Sequence, residues 1–432
     1  METTKNKKMY FGRPGGTYGF VSFIIMLCLT LYQILMSYCV LSQEKKYFSE
    51  LIIYFALFVI IEWVYYFVFS IIQNRHISLE MIAFALSSVS LFVTASVSPS
   101  KTKTQFIAII IGLVLFVAMV LYMKDETRTG AIRLPMAVLA LGVLTFTLVF
   151  ATYTNGAKNW IYIGSVSIQP SEFVKLAFIY VGAATLDKIQ STRSLTLYVF
   201  FAVACVGLLG LMSDFGTALI YFATFIMLAF LRSGDFRTIV LVCAAAVIGG
   251  IIILTQKTYI LERFSSYRHI WEHMYDDGGY QQTRTLIYAA SGGFFGVGLG
   301  NGHLRDVFAA AEDLIFGLVC EELGMFTGFL IVIILILLAL AAMYNAKFSR
   351  SSFFTIAACA SAGMIIVQTA LNVFGVTDFL PLTGVTLPFV SRGGSSMICS
   401  WGLLAFIKAA DSRSYPRKNG IKDDNKKGAV QR

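Results

Sequence analysis

Charged residues are scarce in this sequence: only 13% of its 432 residues are Asp, Glu, Lys or Arg, whereas 57% are hydrophobic. A soluble globular protein carries about 25% charged and about 45–50% apolar residues. A chain with half the usual charge cannot cover the surface of a water-soluble body of this size, and its apolar residues fall into blocks. The composition therefore excludes a soluble enzyme, a disordered scaffold and a nucleic-acid-binding protein. It predicts an all-α polytopic membrane protein.

Metal-binding patterns, a signal cleavage site and internal repeats are also missing. The seven cysteines lie inside apolar stretches without Cys-x-x-Cys or Cys/His spacing, which is typical of small core side chains. The basic N-terminus leads into a long apolar stretch without a small-residue cleavage site, which predicts a start-transfer helix. No internal repeat is visible, although inverted repeats are typical of many transporters.

Apolar stretches long enough to cross a membrane recur along the chain. A membrane-crossing helix needs about 20 mostly apolar residues. We count about twelve stretches, the shorter of which need their flanks, and therefore predict about 10–12 transmembrane helices. The predicted spans are 20–41, 51–72, 79–97, 106–122, 134–153, 173–186, 195–211, 217–230, 239–254, 314–343, 353–373 and 397–407.

The distribution of Lys and Arg predicts the orientation. The formal charge is +10, and most short basic segments fall on the side that also holds the N-terminus, as expected of the cytoplasmic face. Lys45, Lys46, Lys101 and Lys103 fall on the opposite side. The predicted divisions are a cytoplasmic tail (1–16), N-terminal transmembrane helices (17–155), a transmembrane core (156–410) with an extracytoplasmic loop (257–313), and a basic cytoplasmic tail (411–432).

Unusual polar residues concentrate in intervals on the outer face. In the first interval, Pro170 and Ser171 before Glu172 read as a helix start, and Lys175 follows one turn later. A helix cap with Trp160 as an interfacial anchor is the simpler interpretation. In a short hairpin, Asp214 is costly at the membrane boundary unless paired, so it is a functional candidate, with helix capping as the alternative.

The long loop 257–313 combines acidic groups with paired glycines and arginines. Glu272, Asp276 and Asp277 could serve as a general base or as metal ligands, and Arg284 could bind an anionic phosphate. A solvated charged loop is the alternative interpretation. The interval 372–396 contains prolines, glycines and hydroxyl residues at membrane depth, where irregular backbone is tolerated only if it is buried or lines a cavity. It predicts a re-entrant segment that closes a site, with Arg392 as an anion contact.

Five motifs follow one another along the chain: Gly-Ala-Lys-Asn-Trp-Ile with Gln-Pro-Ser-Glu-x-x-Lys, then Asp-x-Gly-Thr-Ala, Gly-Tyr-Gln, Glu-Glu-Leu-Gly and Leu-Pro-x-Thr-Gly-x-x-Leu-Pro-Phe-x-Ser-x-Gly-Gly-Ser-Ser. In these motifs and their order the chain resembles the SEDS family of polytopic peptidoglycan glycosyltransferases (FtsW, RodA and SpoVE), and it looks like a divergent FtsW-like member. The resemblance covers residues 156–407. The family usually has about ten spans, so two helices ahead of the first motif are additional. The family's Asp-Pro-x-Gly-x-Gly-Tyr-Gln pattern is altered here to Tyr-Asp-Asp-Gly-Gly-Tyr-Gln.

The resemblance implies polymerisation of lipid II, an undecaprenyl-pyrophosphate-linked disaccharide-peptide, at the outer face of the bacterial cytoplasmic membrane during division or elongation. It implies a carboxylate general base, assigned to Asp276 or Asp277 with Glu272 in reserve. The implied substrate contacts are Lys175, Arg284, Arg392, Tyr280, Gln281, Ser395 and Ser396. The implied positioning residues are Trp160, Gln169, Glu172, Asp214, Asp313, Glu321, Pro381, Thr383 and Pro388.

The resemblance also implies partners: a class B penicillin-binding transpeptidase and other membrane proteins of the division or elongation machinery. A divalent cation (Mg or Mn) would suit a pyrophosphate leaving group, but the sequence does not require one. Two other functions stay open: a flippase or transporter for the lipid-linked precursor, and a non-catalytic scaffold for a transpeptidase.

Overall fold

The computed structural model is a helical bundle that describes residues 16–72, 76–125, 132–154, 156–164, 166–187, 192–233, 240, 267–275 and 277–411. Seven helices in these ranges are long and apolar enough to cross a membrane, and three shorter apolar helices accompany them. The prediction of an all-α polytopic membrane protein is confirmed. The predicted span 239–254, apart from residue 240, and the tails 1–15 and 412–432 lie outside the described residues.

Five helices form the N-terminal part: α1 (Gly16–Gln43), α2 (Phe48–Tyr65), α3 (Ser78–Val97), α4 (Thr102–Tyr122) and α5 (Arg133–Phe150). A π-helical turn, Tyr66–Ile72, continues α2. The most apolar part of α3 is 83% buried, against 17% for α1, although α3 has the lower mean hydropathy. Helix α3 is rich in small residues such as Ala83, Ser87 and Ser88, which let neighbouring helices approach closely in a membrane.

A small antiparallel sheet follows α5, where the sequence indicated only a polar outer interval. Its strands are β1 (Thr152–Thr154), β2 (Ala157–Ile163) and β3 (Val166–Ile168), in the order β1-β2-β3. Thr152 pairs with Trp160, and Ile161 pairs with Ile168. The sheet forms a cap over one end of the bundle.

Three further helices follow the sheet: α6 (Pro170–Asp187), α7 (Thr192–Leu211) and α8 (Phe215–Ser233). Helices α7 and α8 are joined by a tight hairpin in which Ser213 has a positive φ of 61°. The backbone amide of Lys158 in β2 donates to the carbonyl of Met212 at 2.8 Å, so the sheet is attached to this hairpin.

The C-terminal half contains α9 (Asp277–Ser291), α10 (Ile315–Glu322), α11 (Met325–Lys347), α12 (Ser352–Val376) and α13 (Gly394–Ala409). A 3₁₀ turn, Leu304–Asp306, precedes α10. The predicted single span 314–343 is wrong: it is two helices, α10 and α11, because Gly324 between them has a φ of +89°. Helix α9 lies where the sequence predicted only a loop.

Residues 377–393 between α12 and α13 are irregular, and several of their backbone amides donate to groups of the protein itself. The amide of Leu387 donates to Ser391 Oγ at 2.8 Å, and the amide of Arg392 donates to the carbonyl of Ala311 at 2.7 Å. The side chains of residues 387–391 are buried. The predicted re-entrant segment is therefore confirmed, because irregular backbone at this depth needs such internal partners.

Helix α13 lies at the centre of the bundle. Trp401 is fully buried and contacts the rings of Phe84, Phe116 and Phe389 at centroid distances of 5.2, 5.7 and 6.0 Å. Helix α4 approaches it through Gly112, where a Cβ atom would lie 2.8 Å from the indole. This packing fixes α13, and with it the C-terminal end of the re-entrant segment.

Candidate active site at the outer face

A cavity of about 450 Å³ lies at the end of the bundle that the charge pattern assigns to the outside. Its walls come from the β1–β2 hairpin, the α7–α8 hairpin, Asp313 two residues before α10, and the re-entrant segment. The lining residues that carry polar side chains are Thr154, Asn159, Trp160, Ser213, Asp214, Asp313 and Thr383. Four intervals that the sequence marked as unusual thus meet at one place.

Asp214 is the first carboxylate of the lining. Its Oδ1 accepts a hydrogen bond from the backbone amide of Thr217 at 3.2 Å, so it caps α8. Its Oδ2 accepts hydrogen bonds from Asn159 Nδ2 at 3.1 Å and Gln169 Nε2 at 3.3 Å. The side chain is 8% exposed. Helix capping and a place in the cavity wall are therefore both present, and the carboxylate also ties the sheet to α8.

Asp313 is the second carboxylate of the lining. Its backbone is held on both sides, because its amide donates to the carbonyl of Ala309 at 3.0 Å and its carbonyl accepts from Asn372 Nδ2 at 2.8 Å. Asn372 Nδ2 also donates to the carbonyl of Val385 at 2.7 Å. A Cβ atom at Gly384 would lie 3.4 Å from Asp313 Oδ2, so the carboxylate faces the Pro/Gly-rich segment.

An ion pair lies directly behind Asp313. Arg392 Nη2 is 2.7 Å from Glu312 Oε1, and Arg392 Nη1 donates to Ser98 Oγ at 2.9 Å. The sequence predicted that Arg392 contacts the substrate, whereas in the structure it contacts other side chains of the protein. Its guanidinium group is engaged with Glu312 and Ser98, so we assign it to holding the neighbour of Asp313 in place.

Lys175 is buried in the bundle below the cavity. Its Nζ lies 2.7 Å from Glu172 Oε1 and 3.1 Å from Gln368 Oε1, and the two charged side chains are only 1% and 6% exposed. Gln368 Nε2 in turn donates to the carbonyl and the hydroxyl of Thr386. The structure therefore corrects the predicted phosphate contact: Lys175 anchors the re-entrant segment to α6 through this network.

The two serines predicted to contact substrate are also used internally. Ser395 Oγ accepts a hydrogen bond from the backbone amide of Gln169 at 3.0 Å, and Ser396 Oγ is 2.6 Å from Thr386 Oγ1. Both serines are buried. They join α13 to the start of α6 and to the re-entrant segment, so we assign them to positioning.

Of the loop candidates for the base, only Glu272 has a described side chain. Asp276 lies outside the described residues, and Asp277 begins α9 without a described side chain. The Glu272 side chain is 74% exposed and lies 3.1 Å from His269 Nδ1, which places this reserve base in solvent. The structure therefore does not support Glu272 as a base buried beside a substrate.

The remaining loop candidates lie on α9. Tyr280 is 41% exposed, and the guanidinium carbon of Arg284 is 5.4 Å from its ring centroid. Gln281 Nε2 donates to the carbonyl of Phe308 at 3.3 Å. Gln282 Nε2 donates to the carbonyl of Gly375 at 2.7 Å, which fixes α9 against the end of α12. These contacts hold α9 against the end of α12 and the loop ahead of α10.

The other predicted positioning residues lie in the wall or close behind it. Trp160, Pro381 and Thr383 line the cavity, and Pro388 is buried in the re-entrant segment. The Glu321 carboxylate accepts hydrogen bonds from the backbone amides of His303 and Leu304 at 2.6 and 2.9 Å, which fixes the loop ahead of α10.

Glu322 is the neighbouring buried carboxylate at the end of α10, a helix that is not among the membrane-spanning ones. Ser96 Oγ donates to its Oε2 at 2.9 Å. Burial raises the pKa of Glu322 to about 7, against the opposing effect of its hydrogen bonds.

Several residues of the site escaped the sequence analysis. Asn159, Asn372 and Gln368 hold the cavity wall through their amide groups, and Glu312 pairs with Arg392. Gln368 and Asn372 are polar residues four apart in an otherwise apolar helix, a spacing that places them on one face. That spacing could have identified them. Within the residues described, no group of three or more His, Cys, Asp or Glu could hold a metal ion.

The fold and the cavity define a polytopic membrane protein with a polar, carboxylate-containing site at its outer surface. The sequence profile of the cell cycle protein family FtsW/RodA/SpoVE matches residues 65–415. The chain belongs to this family. The match begins well before residue 156, where the motifs start, so α3 to α5 are shared and only the region up to the end of α2 precedes it.

Curated relatives include the probable peptidoglycan glycosyltransferase FtsW of Bacillus subtilis, which is 31% identical in an alignment of 341 residues. The alignment covers 72% of this chain and 82% of that protein. The peptidoglycan glycosyltransferase RodA of Mycobacterium tuberculosis is 29% identical over 331 residues, 72% of this chain and 70% of that protein.

Two solved structures share the fold. One, described as a peptidoglycan synthase complex that coordinates polymerization and crosslinking, has a TM-score of 0.63 and 22% identity, with 78% of this chain and 98% of that chain covered. The rod shape determining protein RodA of Thermus thermophilus has a TM-score of 0.59 and 22% identity, with 79% and 97% covered.

Proposed function

We propose that this chain is a peptidoglycan glycosyltransferase that polymerises lipid II into glycan strands at the outer face of the bacterial cytoplasmic membrane. Family membership and the names of the relatives support the activity. The observation that carries the assignment to a site is the outer cavity, because the β1–β2 hairpin, the α7–α8 hairpin and the re-entrant segment enclose it together. Its described lining offers carboxylate, amide, hydroxyl and indole groups, which suit a sugar.

We assign the general base to Asp313. The hydroxyl of the acceptor sugar attacks the anomeric carbon of the donor, the bond from that carbon to the pyrophosphate oxygen breaks, and the hydroxyl proton passes to the carboxylate. Of the two lining carboxylates, Asp214 caps α8 and ties the sheet to it, through hydrogen bonds from Thr217, Asn159 and Gln169. Asp313 faces the cavity from a backbone that is fixed on both sides.

A base must be held within hydrogen-bond reach of its proton, and such a group contributes about 10²–10⁴-fold to the rate. Asn372 supplies this fixation, since it bonds both to the backbone of Asp313 and to the re-entrant segment opposite. Arg392 holds Glu312, the residue next to Asp313, through an ion pair. Arg284, on α9, remains our candidate for contact with the pyrophosphate.

We also propose a class B penicillin-binding transpeptidase as the partner. The solved neighbour whose description couples polymerization to crosslinking supports a partner with crosslinking activity. A glycosyltransferase that elongates strands at the outer face supplies the substrate for such crosslinking, so the two sites belong on the same side of the membrane.

The decisive experiment is gel analysis of glycan products from the purified full chain, lipid II and a matching transpeptidase. We expect Asp313→Asn to reduce polymerisation by about 10²-fold or more. The double variant Asp276→Asn with Asp277→Asn tests the loop candidates in parallel. Asp306→Asn, an exposed acidic residue of the same outer segment, is the matched control and should keep parental activity.

Two outcomes would overturn the proposal. Full activity of Asp313→Asn together with loss in the loop double variant would move the base to the loop. Translocation of lipid II across liposome membranes without new glycosidic bonds, in the parent chain, would indicate a transporter instead of a glycosyltransferase.

A further inference from the structure

Two N-terminal helices are additional to the fold shared with the relatives. The family match begins at residue 65, at the end of α2. The two solved relatives are covered over 98% and 97% of their own chains, but over only 78% and 79% of this one. The family match therefore leaves out α1 and all but the last residue of α2, and both helices pack against the matched part.

A polar cluster fixes these helices to α3 inside the membrane. Gln33 Nε2 donates to Glu62 Oε2 at 2.7 Å and to Ser88 Oγ at 2.8 Å, which joins α1, α2 and α3. All three residues are fully buried. Ring contacts surround the cluster, for example Phe55 with Phe92 at a centroid distance of 5.0 Å. In apolar surroundings such hydrogen bonds fix the rotation and register of neighbouring helices.

The outer end of α1 contacts the long outer loop. Gln43, the last residue of α1, donates from Nε2 to Asn301 Oδ1 at 3.3 Å. The backbone of Gly300 approaches so closely that a Cβ atom there would lie 2.2 Å from Gln43 Oε1. Gly300 has a φ of +78°, which a glycine adopts without strain. The loop residues 296–306 thus lie directly against the end of α1.

The same loop is bonded to α10, which follows Asp313. The amides of Val297 and Gly298 donate to the carbonyls of Glu321 and Glu322, both at 2.9 Å. The Glu321 carboxylate also accepts two backbone hydrogen bonds from the far end of the loop. A continuous series of contacts therefore runs from α1 through the loop and α10 to the cavity carboxylate.

We propose that α1 and α2 position the outer segment 296–324 and, through α10, the carboxylate of Asp313. Gln43 acts as the positioning residue at the contact, and Gln33 and Glu62 hold α1 and α2 at the depth and rotation that this contact requires. The inference rests on the proposed glycosyltransferase activity. The role of α1 and α2 is then to position a residue of the candidate active site in the same chain.

The contact is tested by crosslinking in the full chain. Gln43→Cys and Asn301→Cys are combined with Cys28→Ser and Cys39→Ser, which remove the exposed native thiols of α1. We expect a disulfide to form rapidly under mild oxidation. Adding Glu62→Leu, which removes one of the two acceptors of Gln33 and the link from α1 to α2, should slow the crosslinking about tenfold, whereas Glu62→Gln keeps an acceptor there and should crosslink at the parental rate.

The consequence for catalysis is tested with the native cysteines in place. We expect Gln43→Ala and Glu62→Leu to lower kcat about tenfold at unchanged KM, because a small misplacement of a reacting group costs rate while the rest of the lining is intact. Glu62→Gln should restore kcat. Leu57→Ala, on the lipid-facing side of α2, is the matched control and should leave both constants unchanged.

Parental kcat in both Gln43→Ala and Glu62→Leu, with crosslinking slowed by Glu62→Leu, would overturn the inference. So would equal crosslinking rates in Glu62→Leu and the parent. Failure of the parent chain to polymerise lipid II would instead refute the proposed function, and the crosslinking result would still report whether the contact exists.

Discussion

Replacing Lys175 with methionine should destabilise the protein by about 3–5 kcal/mol, because it leaves the charged Glu172 carboxylate buried without its partner. The two charged atoms are 2.7 Å apart, and their side chains are 1% and 6% exposed, so water cannot replace the lost ammonium group. Methionine has similar length and volume, so the cavity contribution is small. The loss thus reports on the ammonium group: its charge beside Glu172 and its hydrogen bond to Gln368.

The double variant Glu172→Gln with Lys175→Met removes both charges. A buried ion pair that is replaced as a whole by neutral groups is often close to neutral in stability, so this variant should recover most of the loss. Thermal unfolding of the purified protein in detergent, followed by intrinsic fluorescence, measures the three variants against the parent. The exposed Lys347→Met is the control, with a change within about 0.5 kcal/mol.

The stability of the double variant relative to Lys175→Met tests whether the ammonium group neutralises Glu172. If the double variant is as unstable as Lys175→Met alone, the ammonium group does not serve to neutralise Glu172. The assignment of Lys175 to the core, in place of the predicted substrate contact, would then be refuted.

Two further variants probe the outer segment and the cavity wall. Glu322→Gln should stabilise the protein increasingly as the pH rises from 5 to 8. Burial raises the pKa of Glu322 to about 7, so the folded parent protein loses stability as the pH rises from the unfolded pKa of this carboxyl to about 7, by at most about 3 kcal/mol. Melting curves that shift equally with pH in both proteins would contradict this. Gly216→Ala should cost about 1–3 kcal/mol and lower polymerisation, because its Cβ would lie 2.7 Å from Val385 and 2.8 Å from the Thr383 carbonyl. Gly142→Ala, with open space around it, should be neutral or stabilising in a thermal melt, and equal losses at both glycines would contradict the steric reason.

The helices that the sequence predicted correctly are those whose surroundings are uniform. A mainly lipid-facing helix such as α1 is apolar along most of its length, so its position follows from hydropathy. The re-entrant segment was also predictable, since prolines, glycines and hydroxyls at that depth exclude an ordinary helix. The break at Gly324 was not, because α10 and α11 are both apolar and only a positive φ at one glycine separates them.

Helix α9 shows the opposite case. Its first turn contains Gly278 and Gly279, which disfavour a helix by their intrinsic propensity. A Cβ atom at Gly279 would lie 2.4 Å from the carbonyl of His273, so the close approach of this backbone requires a glycine. Tertiary packing therefore overrides local preference, and the sequence pattern pointed to a loop.

The sequence by itself determined that this chain crosses a membrane many times, which face carries its unusual residues, and the family it belongs to. Those properties follow from composition and from short local motifs. Only the tertiary structure decided which of these residues reach the cavity: it placed Asp214 and Asp313 in the wall and engaged Lys175, Arg392, Ser395 and Ser396 in internal contacts. The physical reason is that a motif records the type of a side chain, whereas its partner is supplied by a helix or loop distant in the chain.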